Sequence, residues 1–538
     1  MPNQVKSFLT FLLSAFILCS NISSQPQTPW GDFVIRKVEK KLDTSVKRVA
    51  VNDQYDFLEL SYDAIHPFSN DRALVVWNES EQYFPKVGKT GDIIKKYGYI
   101  DKTGSLVIPL EYDTASSFSD GYAVVAKATE YIEDYYVTEH ETGIIDPNGN
   151  YVQELSTSFR GHSFKDGVML AQFKDKSGNW NAYFINTSGE KISKELSNFS
   201  FACGVSEGVI VASPDNKNWG VMNTKGAWVS KPGSVPNDAY DIRSFTDGLA
   251  RVKTSNYRFT YIDSTGKLAF PKGFHLTYGF SDGYAATGKL VDGPGYKIMY
   301  GYINKEGEWA IPPIYELVGN FSDGLAFVVK HTETKNHAYG FIDKAGDTVI
   351  RFEYDAAGDF SEGVAAVNKD GKLGYIDKKG NWVIEPQFIG NDYENNRHTF
   401  YNGMAMVYTT ERKKGYIAKR DQNSPIRIKI DDNYLPIDIC PEFSNNVMMV
   451  PLRKVSEALG FSVSWNNDTK TAIIENESSV ITLPLGKKEI LVNGKTQRLC
   501  HSVESKNGNL FVPLEVFDKY LNYTIKWDME FANLFINR

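Results

Sequence analysis

The sequence predicts a mainly β protein: tandem antiparallel β-meander repeats, closed as a propeller or open as a solenoid, followed by a small α+β domain. Three observations predict it. A phrase of Gly-Tyr-Ile-Asp, two residues, Gly and a short apolar run recurs from Gly98, Gly301, Gly340 and Gly374. Looser copies begin at Gly143, Tyr183, Gly220 and Thr260. A second phrase, Phe-Ser-Asp-Gly or a close variant, starts at Phe118, Phe164, Val205, Phe245, Phe280, Phe321, Phe360 and Phe400, a step of 35 to 46 residues. A fixed period of that size marks a repeat architecture. From Pro425 a different duplication begins, offset by 62 residues: Val450-Pro451-Leu452 is echoed by Val512-Pro513-Leu514, and Ser464-Trp465 by Lys526-Trp527.

At the N-terminus, Lys6 precedes an apolar run from Phe8 to Cys19, then polar Ser20 to Ser24. A basic start, an apolar core of about a dozen residues and a small-residue exit form the pattern of a secretory signal peptide. Residues 1–24 are therefore expected to direct export, giving a secreted or cell-surface protein with no membrane span once the signal is removed. An uncleaved anchor and a lipoprotein attached through Cys19 are the alternatives, although Leu18 stands where a lipoprotein signal wants a small residue. Residues 25–54 read as a lead-in, 55–419 as the repeat array and 426–538 as the C-terminal domain. The two domains are expected to part near Ala418 to Pro425, where the repeat phasing gives way to polar Lys419-Arg-Asp-Gln-Asn-Ser424.

Within a repeat, Gly374-Tyr-Ile-Asp377 is a strand, because Tyr375 and Ile376 fall on opposite faces. Asp377 and Gly380 suit a turn closed by a left-handed glycine. Trp382-Val-Ile384 returns, and Pro386 ends the strand because it has no N–H to give the ladder. Phe118-Ser-Asp-Gly121 is a second turn feeding Tyr122-Ala-Val-Val125. Such a meander buries its faces only by stacking on neighbours. The array begins with half a unit: Asp63 and Phe68 match Asp113 and Phe118 at a common offset of 50 residues. It ends near Gly415-Tyr-Ile417, a first strand without its return. The halves suit ring closure, yet eight whole units plus the split one exceed the usual four to eight blades. Closure is left open.

In the C-terminal domain each half reads as strand, short helix and strand pair. Leu452, Val455 and Leu459 share one helical face with Gly460 as the stop; Leu514, Phe517 and Leu521 match them, with Asn522 as the stop. Phe461 to Trp465 and Tyr523 to Trp527 alternate as strands.

The Gly-Tyr-Ile-Asp…Phe-Ser-Asp-Gly pattern resembles the WG-repeat (KWG) family over about Tyr55 to Lys419. Trp219-Gly220 shows the signature dipeptide, while Tyr97-Gly98, Tyr300-Gly301, Tyr339-Gly340 and Leu373-Gly374 depart from it. The segment from Ile426 to Arg538 resembles the copper amine oxidase N-terminal-like, or stalk, domain. That resemblance implies a small antiparallel sheet wrapped on a helix. It does not imply amine oxidation, since no Asn-Tyr-Asp/Glu or His-x-His occurs. Glu515 also stands where Arg453 does in the first half.

With 59 basic and 66 acidic residues and a net charge of −7, the chain lacks the composition of a nucleic-acid binder. Gly204-Val-Ser206-Glu-Gly208 and Gly279-Phe-Ser281-Asp-Gly283 match a nucleophile elbow, but that motif needs a strand-to-helix turn. Both read as repeat turns. Asp120, Asp166, Asp247, Asp282 and Asp323 read as turn formers rather than calcium ligands. His331 and His337 read as surface residues, Glu133-Asp134 as solvated. Tyr99, Trp309 and Trp382 read as packing residues rather than sugar platforms. Cys440 and Cys500 lie 11 and 13 residues before Pro451 and Pro513, nearly equivalent places in the duplication. They are candidates for a disulfide, which export would preserve; two unpaired thiols are the alternative. No catalytic residue, metal site or cofactor is expected. The expected role is a non-enzymatic binding or scaffold platform for a cell-wall polymer or surface protein, its binding weakening stepwise as repeats are deleted. The alternative is an extracellular hydrolase of cell-wall glycan or peptide.

Overall fold

The computed structural model describes residues 38–39, 42–84, 89–128, 140–161, 163–196, 199–291, 297–390, 398–431, 433–436 and 440–537. The expected signal peptide, Cys19 and Glu133-Asp134 lie outside them. Two compact units divide the chain, 1–40 with 78–94 and 41–77 with 95–538. In the smaller, Val38–Glu39 pairs antiparallel with Ser80 and Glu81. The larger holds the repeats and the C-terminal domain.

The sixth repeat shows how one unit forms. Leu276–Ser281, Tyr284–Val291, Lys297–Ile303 and Trp309–Tyr315 lie side by side, each antiparallel to the next. The Phe280-Ser-Asp-Gly283 turn joins the first two strands. Gly301 sits where the third and fourth strands pinch together. A Cβ there would lie 2.3 Å from the Ile311 carbonyl oxygen, so only glycine fits. Beyond it, Gly307 at φ +77° closes the next turn, and the Asn304 side-chain oxygen accepts the N–H groups of Glu306 and Glu308. Asp377 caps the same turn in the eighth repeat, at 2.8 and 2.9 Å from the Lys379 and Asn381 nitrogens.

Among the described residues, 47–419 form nine antiparallel sheets of this kind, with three to five strands each. The ninth is composite: its strands run in the order Lys47–Asn52, Tyr55–Glu59, Lys414–Lys419, Met404–Tyr408. Tyr55 pairs with Lys419, Phe57 with Ile417 and Glu59 with Gly415. The two ends of the array thus complete one sheet. An apolar cluster fills the gap between each sheet and the next. Tyr302, Ile311 and Tyr315 of the sixth meet Val318, Phe321 and Val328 of the seventh. The ninth packs on the eighth through Phe57 and Val407 against Tyr375 and Phe388, and on the first through Leu58 and Met406 against Phe68 and Val75. The array is therefore a closed ring, one blade beyond the usual range. Lys47–Asn52 is the edge strand of the closing sheet.

In the C-terminal domain the duplicated phrase meets itself. Val447–Pro451 and Asn509–Pro513 pair antiparallel, with Val450 opposite Val512. A helix follows each, Leu452–Ala458 and Glu515–Asp518. The expected stops are in place, Gly460 at φ +89° and Asn522 at φ +58°. Leu452, Val455, Leu459 and Phe517 enter one core with the sheets. Val450 opposite Val512 puts the pseudo-symmetry axis between the two central strands, and Cys440 and Cys500 precede the outer strands, Glu442–Ser444 and Glu504–Lys506, at opposite edges of the sheet. Pro441, next to Cys440, lines a small cavity with Pro451 and Lys454; the Cys500 N–H binds Glu515. No disulfide joins Cys440 and Cys500, which corrects the pairing considered from their spacing.

Candidate binding surface

The recurrent Phe-Ser-Asp-Gly turns hold the ring together. Asp120 and Gly121 sit at φ +50° and +81°, and the same pair of positive values recurs at Asp282 and Gly283 and at Glu362 and Gly363. Both central residues are left-handed, the two-residue hairpin turn that matches strand twist. Each acid then reaches the next sheet. Asp120 Oδ2 accepts the Gly167 N–H at 2.7 Å, Asp247 the Gly283 N–H at 2.7 Å, Asp323 the Gly363 N–H at 2.8 Å, and Glu362 the Gly403 N–H at 2.9 Å. The serine beside it donates to the next phenylalanine carbonyl: Ser206 to Phe245 and Ser281 to Phe321 at 2.7 Å, Ser361 to Phe400 at 2.8 Å.

The serines of both nucleophile-like motifs therefore do what Ser361 does outside any such motif. At the seam the first sheet has Asp71 where the others have glycine, and the clip reverses: Asn402 Nδ2 donates to Asp71 at 3.2 Å. The turns were legible from the sequence; the bond to the next copy was missed, although the serine and acid recur together at one period. Among the described residues no three His, Cys, Asp or Glu side chains are grouped to hold a metal ion.

The repeat tyrosines add a second tie. Tyr99, Tyr302 and Tyr375 are buried, and their hydroxyls donate to the carbonyls of Ser116, Gly319 and His398 at 2.7, 2.9 and 2.9 Å. Burial pushes the Tyr99 and Tyr302 hydroxyls up, which keeps them protonated donors. Trp309 stands edge-on to Phe274 and Trp382 edge-on to Tyr354. All three aromatics singled out in the sequence are packing residues.

Antiparallel pairing puts the other loops at the opposite end of each sheet, where the copies differ. Five residues before the motif phenylalanine stands an acid in four sheets: Asp63, Asp113, Glu316 and Asp355. Its N–H bonds the carbonyl of Val76, Ala126, Val329 or Asn368. Lysines neutralise three of these acids, Lys96 on Asp113 at 2.8 Å, Lys297 on Glu316 at 3.4 Å and Lys335 on Asp355 at 2.6 Å. His337 joins Glu316 at 2.9 Å, and His331 is exposed. In the fifth sheet the same backbone pair is Tyr240 and Lys253. An aromatic replaces the acid and a cation the neutral residue.

A third feature is the junction with the C-terminal domain. Asp56, on the closing strand, is fully buried between Arg420 at 2.5 Å, Arg427 at 2.6 Å and the less buried Arg48 at 3.1 Å. Arg420 Nε also donates to the Phe531 carbonyl, and Arg427 to the Asn52 and Asp53 carbonyls. The polar run read as a boundary thus contains a buried ion-pair centre. The domain also holds an open cavity of about 680 Å³ beside the edge strands Glu442–Ser444 and Glu504–Lys506.

Two family models match the chain. A WG containing repeat matches at 97–128, 259–289, 300–331, 339–372 and 374–388, and a copper amine oxidase N-terminal domain at 429–536. No curated protein sequence matches. Among solved structures, the computationally designed Ika8 protein is 12% identical and aligns over 56% of this chain and 94% of its own, with a TM-score of 0.30. BamB from Moraxella catarrhalis is 10% identical over 70% and 100%, with a TM-score of 0.26.

Proposed function

We propose that this chain, a ring of WG-containing repeats followed by a copper amine oxidase N-terminal domain, is an exported binding or scaffold protein without turnover of its own. The ring is the interaction platform, and the C-terminal domain attaches or orients it. The observation that carries this reading is the use of the recurrent polar residues. The motif serines and acids are committed to backbone groups of the neighbouring sheet, which leaves them to structure. The loop end, where copies differ, is left for recognition. Export rests on the basic-apolar-small pattern of residues 1–24. The partner class is an extended cell-wall polymer or another surface protein.

The test is retention of purified full-length protein on isolated cell walls, measured alongside release of sugars or peptides. Retention without release is expected, unchanged in Ser206→Ala and Ser281→Ala. Release that disappears in either serine variant, with folding intact, would overturn the platform in favour of a hydrolase.

A further inference from the structure

Building on the platform reading, we propose that the loop end of the fifth sheet binds a polysaccharide of uronate residues, pyranose rings that each carry a carboxylate. Tyr240 and Tyr257 are 54% and 75% exposed. Lys253 stands between them, its Nζ 5.7 Å from each ring centroid. Across the strands Lys253 pairs with Phe259 and Phe259 with Phe274, next to Arg258, Lys272 and His275.

The charge here is reversed relative to four of the other copies. The acid of the first, second, seventh and eighth sheets is Tyr240, and among the described residues no carboxylate forms an ion pair with Lys253, Arg258 or Lys272. The nearby Asp241 is taken by Arg243 at 2.8 Å and Arg251 at 3.6 Å, and Asp238 accepts the Ser255 hydroxyl. Unneutralised cations thus gather on a chain of net charge −7.

Tyr257 is the second sign. It closes the turn that begins at Thr254 with φ +61°, in the left-handed region that bulky residues avoid. The same turn in the third sheet uses Gly178 at φ +84°. A strained tyrosine whose ring faces solvent contributes nothing to the core that glycine would lose. Strain of this kind persists at sites of function.

The chemistry fits one ligand class. The electron-rich face of an exposed tyrosine accepts the C–H groups of a pyranose. Lys253, between the two ring platforms, supplies the positive charge for the carboxylate. A glycerol-phosphate chain offers anions but no ring, and a neutral glucan offers rings but no anion.

The test is calorimetry and affinity electrophoresis of the full-length protein with polygalacturonate, dextran and poly(glycerol phosphate). Polygalacturonate is expected to bind, and the other two at least tenfold more weakly. Tyr257→Gly is expected to weaken polygalacturonate binding at least tenfold while the melting temperature holds or rises, and Lys253→Gln to weaken it similarly. Lys127→Gln, which removes a lysine paired with Glu111 on the second sheet, is expected to leave binding unchanged. Equal binding of dextran or poly(glycerol phosphate), native affinity in Tyr257→Gly, or an equal loss in Lys127→Gln would overturn the site. If walls still retain the protein while these variants behave as native, the platform stands and this site falls. If retention is absent altogether, the platform itself falls.

Discussion

Asp359, just before the motif phenylalanine of the eighth sheet, is half-buried with the Asn320 N–H at 3.1 Å and no ion pair among the described residues. Burial pushes its carboxyl up to about 6, with the Asn320 hydrogen bond opposing. A carboxyl raised above its unfolded value of 3.8 favours folding while protonated and opposes it once ionised. Stability should therefore fall as pH rises from about 4 through 6. A tenfold difference in proton affinity between the folded and unfolded chain is worth about 1.4 kcal/mol. Asp359→Asn keeps an acceptor for Asn320 and removes the charge, so it should raise unfolding stability by about 1–3 kcal/mol at pH 8. At pH 4 the gain should shrink below about 1 kcal/mol. Urea unfolding at the two pH values checks this, and an equal gain at both would refute the cause given. The clip serines make a second residue-scale case. Ser206→Ala leaves the Phe245 carbonyl without its donor and should cost about 1 kcal/mol. Ser361→Ala, outside any nucleophile-like motif, should cost the same in a paired denaturation series.

At the scale of elements, the buried centre at Asp56 ties the closing strand to the C-terminal domain. Removing the one acid leaves Arg420 and Arg427 buried without it, a loss of about 3–5 kcal/mol. Asp56→Ala should lower the melting temperature of the full chain. A fragment beginning at Ile426 should still unfold cooperatively, since its core is built wholly from residues after it and Arg427 becomes solvated. Calorimetry of variant and fragment checks both. Much at this scale was legible in the sequence, because strand alternation, left-handed glycines and the 62-residue duplication are local or periodic signals. Asp56 was not, since Tyr55-Asp56-Phe57 looks like a strand with its polar residue turned to water. Arg420 and, from the C-terminal domain, Arg427 make that face an interior. The acid–glycine clips were hidden for a related reason: Asp-Gly is already explained as a turn former, and its partner lies some forty residues on. The cysteines mislead because equivalence in a duplication suggests proximity, whereas the axis runs through Val450 and Val512.

For the whole molecule, closure changes what a truncation does. In an open stack each end unit has one neighbour, so losses add step by step, and binding that weakens gradually with each deleted repeat is the corresponding expectation. A ring has no end unit. Removing residues 1–59 takes Tyr55, Phe57 and Leu58 out of two apolar clusters at once. It also leaves Lys414–Lys419 as an unpaired edge beside them. Exposed edges of that kind recruit other chains. The truncated protein should lose its cooperative melting transition and associate, rather than melt a few degrees lower as a shortened stack would. Because the lost piece is an antiparallel hairpin that adds by strand pairing, a synthetic peptide spanning residues 45–61 should restore the transition in trans. A peptide with Phe57→Asp and Leu58→Asp should not. Thermal unfolding and light scattering with and without the peptides decide it, and a truncated chain that stays monomeric and melts cooperatively without the peptide would mean that the ring is not held by its seam.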